Sequence, residues 1–204
     1  MRPKSTRIQI MSFINENTKE INCKIVYYGP PRCGKSTSLK KIFEQIKQKS
    51  KGELISLSTD NNHTLYFDFV PLKLGNIGDY HVRLHLYTVP GEVAYDANRK
   101  IISKGVDGVV FVADSQLEKT EANVASLKEL KNILEGEGVN WKAVPTVIQY
   151  NKRDLPNAVP TTELRGLLNP QKVPDFETIA TEGKGVYDVL KAIGTKVLID
   201  LKEE

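Results

Sequence analysis

The amino-acid sequence predicts one α/β domain in which a mostly parallel central sheet carries helices on both faces. Short apolar runs rich in β-branched and aromatic residues alternate with longer segments of helical periodicity, as they do in strand–helix–strand units. The run GVVFVAD, at residues 108–114, is apolar up to its last residue, which is typical of a strand covered on both faces. A length of 204 residues with 40% hydrophobic content fits a single domain with a full core.

The predicted elements alternate along the chain. We predict strands at residues 24–28, 54–58, 65–70, 82–87, 106–113, 146–150 and 176–178. We predict helices at residues 35–49, 93–104, 118–135, 161–168 and 186–202, the last of which repeats apolar residues with the helical period. Residues 1–19 are assigned to an N-terminal extension, either flexible or an added edge strand, and residues 20–204 to the domain.

Charge and cysteine usage exclude several classes of protein. The net charge is +4, and acidic and basic residues are interspersed, so we expect no nucleic-acid partner. The two cysteines, Cys23 and Cys33, lack zinc spacing and indicate a reducing compartment. The sequence shows no secretory signal, no apolar run near the ~20 residues that span a bilayer, and no C-terminal lipidation cysteine. We therefore expect a cytoplasmic protein without a direct membrane anchor.

The stretch GPPRCGKST, residues 29–37, lies between a predicted strand and a predicted helix. Two glycines five residues apart, followed by lysine and serine, form the phosphate-binding P-loop pattern. The glycines allow backbone N–H groups to turn toward phosphates, the lysine reaches the phosphate oxygens, and the serine offers a hydroxyl to Mg²⁺. The predicted nucleotide contacts in this loop are Gly29, Arg32, Cys33, Gly34, Lys35, Ser36 and Thr37.

A second motif, NKRD, follows the predicted strand at 146–150. Its last residue, Asp154, can accept both N–H groups on one edge of guanine, whereas adenine offers a mismatched edge. A carboxylate left unpaired against the wrong base lowers affinity, so the motif discriminates between bases. Together with the P-loop, Asn151, Lys152 and Asp154 predict a site for GTP or GDP with Mg²⁺.

These motifs resemble those of Ras-type small GTPases, and the chain closely resembles the bacterial MglA group of cell-polarity GTPases. The match is carried by EINCKIVYYGP, TLYFDFVPL, LYTVPG, GVDGVVFVADS, VIQYNKRDLP and ATEGKGV, which extend from about residue 20 to residue 186. The segment TVPG stands where Ras relatives have DTAG. The resemblance implies a Ras-like P-loop GTPase domain with room for an extra N-terminal strand.

The resemblance also implies roles for single residues. Thr64 matches the switch threonine that contacts Mg²⁺ and the γ-phosphate, so the metal ligands are predicted as Ser36 and Thr64. Gly91 matches the glycine whose N–H meets the γ-phosphate, and Ala180 matches the loop whose N–H contacts the guanine oxygen. Thr88 replaces the usual aspartate near the metal, which suggests a water-mediated contact in which Asp68 is a candidate helper.

Three positions depart from the pattern of a hydrolysing member. Pro31 stands where the P-loop usually has glycine. Glu92 stands where the family has its catalytic glutamine, and His63 where MglA proteins carry an arginine finger. We therefore predict that catalysis by Glu92 and His63 is weak.

The sequence thus favours a guanine-nucleotide switch that controls cell polarity or motility machinery and is recruited to a cell pole. The resemblance implies a roadblock-domain activating protein of the MglB type and polar effector or motility proteins as partners. One alternative is a scaffold that stays bound to GTP and recruits effectors without cycling. A P-loop kinase or ATPase is the third reading, against which NKRD argues.

Overall fold

A computed structural model describes residues 13–49, 69–89 and 105–202 of the chain. Within these ranges the strands are β1 (Phe13–Asn15), β2 (Glu20–Tyr28), β3 (Phe69–Ile77), β4 (Tyr80–Thr88), β5 (Gly108–Asp114), β6 (Thr146–Asn151) and β7 (Asp175–Glu177). The α-helices are α1 (Lys35–Lys49), α2 (Thr120–Gly136), α3 (Thr161–Leu168) and α4 (Val186–Lys202). Short 3₁₀ turns occupy Leu117–Lys119 and Trp141–Ala143.

The seven strands form one mixed sheet in which β3-β4-β2-β5-β6-β7 are successive neighbours. Strand β2 pairs in parallel with β4 and β5, and the parallel pairing continues from β5 to β6 to β7. Strand β3 is antiparallel to β4 at the edge. Strand β1 pairs antiparallel with the first residues of β2, before β5 joins β2 at Ile25. The predicted mostly parallel sheet and the added N-terminal strand are both confirmed.

Helices cover the two faces of this sheet, as predicted. On one face α1 and α4 pack with Val110 and Val112 of β5, through a cluster that includes Leu39 and Ile193. On the opposite face α2 and α3 pack with the alternate β5 residue Phe111. Because neighbouring side chains in a strand point to opposite faces, β5 needs apolar residues at every position. This explains the uninterrupted apolar run in its sequence.

Several element boundaries differ from the prediction. The strand predicted to end at residue 70 continues to Ile77, although it contains Pro71 and a bulge beside Gly75. Among the described strands β3 pairs with β4 alone, and an edge strand tolerates both features because one side of its backbone has no ladder to maintain. Strand β2 begins earlier than predicted, and the helix predicted from residue 118 begins as a 3₁₀ turn. The predicted strand 54–58 and helix 93–104 lie outside the described residues, and the domain boundary at residue 20 stays a prediction.

None of the helices in the three described ranges has the length and apolar character that a membrane crossing demands.

Candidate functional site

Three loops lie at the end of the sheet where the parallel strands have their carboxyl ends. They are the P-loop (residues 29–34) after β2, the NKRD loop (residues 151–154) at the end of β6, and the ATEGKG loop (residues 180–185) after β7. Ligands of open α/β sheets bind at the carboxyl ends of the strands. The fold therefore brings the two sequence motifs and the third loop to one place.

Gly29 and Gly34, the two glycines of the P-loop pattern, lie so close to neighbouring atoms that a Cβ would not fit. Gly29 has a φ of 149°, and a Cβ there would lie 2.1 Å from the carbonyl oxygen of Val112. Gly34 has a φ of 107°, and a Cβ there would lie 2.1 Å from the side-chain nitrogen of Asn151. A side chain at either position would displace the loop from β5 or from the NKRD loop.

Lys35 is the first residue of α1, and its side chain turns back into the P-loop. The ammonium Nζ donates to the carbonyl oxygens of Gly29 and Pro30, at 2.8 Å each. The residue is only 7% exposed. Two of its three ammonium protons thus stabilise the loop, and the positive charge is held inside it.

The P-loop also presents backbone donors. The N–H group of Gly34 has no hydrogen-bond partner among the described residues, whereas that of Lys35 interacts with the Cys33 sulfur. They are successive donors at the N-terminus of α1, where the helix dipole favours an anion. This arrangement, with the buried Lys35 charge, fits phosphate groups.

Cys33 is fully buried in the same loop, with Sγ 3.8 Å from Lys35 Nζ. Burial raises the pKa of its thiol, although the nearby ammonium acts in the opposite direction. The thiol is therefore protonated at neutral pH and is a packing group.

Asn151 joins the three loops. Its Nδ2 donates to the carbonyl oxygen of Cys33 at 2.7 Å. Its Oδ1 accepts from the backbone N–H of Ala180 at 2.9 Å and from the Thr178 hydroxyl at 3.0 Å. The side chain is buried, so these bonds are shielded from water.

The other NKRD residues differ in their surroundings. Lys152 adopts a left-handed φ of 64°, and its Nζ lies 2.6 Å from Oδ2 of the buried Asp114. Asp154 is exposed, and in the part of the chain that the structure describes its carboxylate has no hydrogen bond or ion pair. Lys152 is thus held in place by protein contacts, whereas Asp154 remains available to a ligand.

In the third loop, the Ala180 N–H is already bonded to Asn151. The next N–H, that of Thr181, has no partner among the residues described. A base carbonyl in this position would therefore meet a free donor at Thr181 and a shared one at Ala180.

Of the remaining predicted residues, some lie within the described ranges and the others lie outside them. Ser36 and Thr37 are partly buried in the first turn of α1, and Arg32 is exposed with a φ of 59°. Thr88 is buried at the end of β4, opposite Tyr27. Residues outside the described ranges are His63, Thr64, Asp68, Gly91 and Glu92.

The described residues contain no group of three His, Cys, Asp or Glu side chains that could hold a metal ion. Among the described residues, Ser36 offers a hydroxyl to a Mg²⁺ ion, which would also take water and phosphate oxygens. Such a donor set suits magnesium, which keeps several waters and binds through substrate phosphates.

Four residues of the site were not predicted from the sequence: Ser38, Asp114, Gln149 and Thr178. Each is fully or almost fully buried and contacts a predicted residue or another member of this group. The available signal was a polar residue within an apolar segment, such as the glutamine of TVIQY.

A family model described as the ADP-ribosylation factor family matches residues 8–197. The chain is 56% identical over 193 residues to the mutual gliding-motility protein MglA of Myxococcus xanthus (strain DK1622), covering 95% of this chain and 99% of that protein. It is 32% identical over 100 residues to ADP-ribosylation factor-like protein 4A of Homo sapiens and of Mus musculus, covering 48% of this chain and 46% of theirs.

The chain belongs to the ADP-ribosylation factor family of small GTPases, and it binds guanine nucleotides. The 56% sequence identity with the Myxococcus protein confirms the predicted resemblance to the MglA group.

Proposed function

We propose that this protein is a Mg²⁺-dependent molecular switch that alternates between GTP and GDP and controls cell polarity or motility machinery. The observation that supports it best is the Asn151 side chain, which bonds to both the P-loop and the Ala180 loop. A phosphate loop and a base loop tied by one residue form a site for a whole nucleotide.

In this proposal the base is selected by the NKRD loop and the ATEGKG loop. The exposed Asp154 carboxylate accepts from the two N–H groups of guanine, and the N–H groups of Thr181 and Ala180 face its carbonyl oxygen. The stem of Lys152 is fixed beside the base by Asp114. ATP is rejected because its base would leave the Asp154 carboxylate without donors.

The phosphates are bound by the P-loop. The N–H groups of Gly34 and Lys35 and the ammonium of Lys35 supply donors and positive charge. Ser36 and Thr64 hold the metal, which when bound neutralises phosphate charge. Gly91 senses the γ-phosphate, so that its contact is lost with hydrolysis.

Hydrolysis by the protein alone is slow in this proposal. Glutamine orients an attacking water by donating and accepting together, whereas an ionised Glu92 only accepts. His63 is mostly neutral near pH 7 by its ordinary pKa and replaces the charge of an arginine only in part. An activating partner then sets the lifetime of the GTP state.

The cellular role is proposed from the relative, whose name describes a gliding-motility protein. The partners are a roadblock-domain activator of the MglB type and polar effector or motility proteins, and the protein acts in the cytoplasm and at a cell pole. Nucleic acid and a direct membrane anchor have no part in this proposal.

A constitutively GTP-bound scaffold is the second candidate, favoured by Glu92 and His63 at positions that promote hydrolysis in relatives. The two candidates predict different nucleotide contents of the purified protein. We expect chromatography of the extracted nucleotides to show GDP together with GTP for the switch, and GTP alone for the scaffold. Adenine nucleotides as the main content would contradict both.

A further inference from the structure

Gln149 is a buried polar residue in the middle of β6. It has no exposed surface, and its strand neighbours Ile148 and Tyr150 pack in the apolar core on the opposite face. With Val147 it points to the face covered by α1 and α4. An amide in such a place is costly unless it is hydrogen-bonded.

The Gln149 amide nitrogen donates two hydrogen bonds to side chains of different elements. One goes to the Ser38 hydroxyl in α1, at 2.9 Å. The other goes to the Thr178 hydroxyl after β7, at 3.0 Å. Gln149 therefore links the helix that begins at the P-loop to the segment that leads into the ATEGKG loop.

The two hydroxyls are in turn hydrogen-bonded to the P-loop, one directly and one through Asn151. Ser38 Oγ donates to the carbonyl oxygen of Gly34 at 2.9 Å. Thr178 Oγ1 donates to Asn151 Oδ1, and Asn151 Nδ2 donates to the carbonyl oxygen of Cys33. The chain of bonds thus ends on two successive P-loop carbonyls. We call its four side chains, Ser38, Gln149, Thr178 and Asn151, the buried polar ring.

In the buried polar ring each hydroxyl accepts a hydrogen bond from Gln149 and donates its own proton onward. If Gln149 were turned so that its oxygen faced the two hydroxyls, their protons would be needed for that oxygen. The Gly34 carbonyl oxygen and Asn151 Oδ1 would then lose their hydroxyl donors and keep only the backbone N–H groups of Ser38 and Ala180. The observed orientation leaves Gln149 Oε1 buried and without a partner among the described residues.

We propose that Gln149 is a positioning residue for nucleotide binding. Through Ser38 and Thr178 it holds the P-loop at a fixed distance from the base-contacting loop, and so it sets how long a guanine nucleotide stays bound. The proposal deepens the proposed function and rests on it. Gln149 itself touches neither the base nor the phosphates.

The test is the dissociation rate of fluorescent GDP from the loaded protein with Mg²⁺, chased by unlabelled GDP. Gln149→Leu keeps the volume and removes both donated bonds, and we expect dissociation to be about tenfold faster. Thr178→Val removes the hydroxyl and keeps the shape, with the same expectation. Thr178→Ser keeps the hydroxyl and loses a methyl. Thr146→Val removes a buried hydroxyl of β6 whose hydrogen bond, among the described residues, goes to the Val144 carbonyl oxygen. Both should stay within about twofold of the wild type.

Comparing the GDP dissociation rates of Thr178→Val and Thr178→Ser distinguishes a positioning role from a packing role. This comparison does not depend on whether Gln149→Leu folds. A packing role predicts that Thr178→Ser dissociates faster than Thr178→Val, and this result would overturn the proposal. A Gln149→Leu rate within about twofold of the wild type would overturn it too, with the proposed function intact. If the wild type cannot be loaded with GDP, the proposed function itself fails.

Discussion

The side-chain nitrogen of Asn151 lies 2.7 Å from the carbonyl oxygen of Cys33, a residue 118 positions earlier in the chain. The opposite side of the same amide accepts the N–H of Ala180. One buried side chain therefore fixes the phosphate loop relative to the base loop. In the proposed function the two loops contact opposite ends of a nucleotide, so their spacing would determine whether both ends can be bound together.

Asn151→Ala should release guanine nucleotide faster, by about 100-fold. Three buried hydrogen bonds are lost, and the P-loop and the third loop become free to move apart. The measurement is the dissociation rate of fluorescent GDP. Asn140→Ala, which removes an exposed amide that caps a 3₁₀ turn, is the matched control and should leave the rate unchanged. A rate for Asn151→Ala equal to that of the control would show that the loops are held by other contacts.

Asp175→Asn should lower the free energy of unfolding by about 1 kcal/mol at pH 7. Asp175 accepts two hydrogen bonds from Arg165 and one from Asn169. The Arg165 guanidinium holds the pKa of this carboxyl below its ordinary value. A lowered folded-state pKa gives stability that is present above the unfolded pKa of about 3.9 and lost as the pH falls through the folded pKa.

Urea unfolding at pH 7 and pH 3 measures this difference. The gap between wild type and Asp175→Asn should be constant from pH 7 to about pH 5 and shrink below about pH 4. Glu135→Gln removes an exposed carboxylate of α2 and should be near neutral at both values. A gap that widens as the pH falls would contradict the assigned direction of the Asp175 pKa.

Intrinsic GTP hydrolysis should be very slow and should respond to substitutions at residues 63 and 92. A well-placed arginine finger accelerates hydrolysis by about 10³ to 10⁵, and glutamine orients the attacking water. Glu92→Gln combined with His63→Arg should therefore raise the single-turnover rate by at least about tenfold. If the wild type already matches the double variant, the two residues do not limit hydrolysis, and the proposal of a slow switch fails.

Residues 59–80 should exchange backbone hydrogens differently in the GDP and GTP forms. The described part of this segment contains the edge strand β3, which pairs with β4 and is interrupted by Pro71 and the bulge at Gly75. Resemblance to the MglA group implies a strand that slides in register, and an even step keeps its inward face. Residues 146–151 of β6, inside the sheet, serve as the reference and should be equal in both forms. Identical exchange over 59–80 would be incompatible with the switch.

Sequence patterns predicted the parts of the molecule that depend on local chemistry. The P-loop and NKRD were visible because each needs particular residue types at fixed spacing, and the apolar alternation of strands and helices gave the fold. The extent of β3 was missed because Pro71 and Gly75 disfavour strands, and only the edge position makes them acceptable. The buried polar ring was missed because its members are far apart in sequence. A glutamine in an apolar strand indicates a buried partner without saying which one.

The most direct test of the guanine-nucleotide assignment is competition for bound fluorescent GDP by unlabelled GTP and ATP, on the wild type and on Asp154→Asn. GTP should displace the probe from the wild type while ATP at the same concentration does not. Asp154→Asn should lose its preference for guanine, because an amide cannot accept both guanine donors without presenting an N–H of its own. Equal competition by GTP and ATP on the wild type would contradict the account.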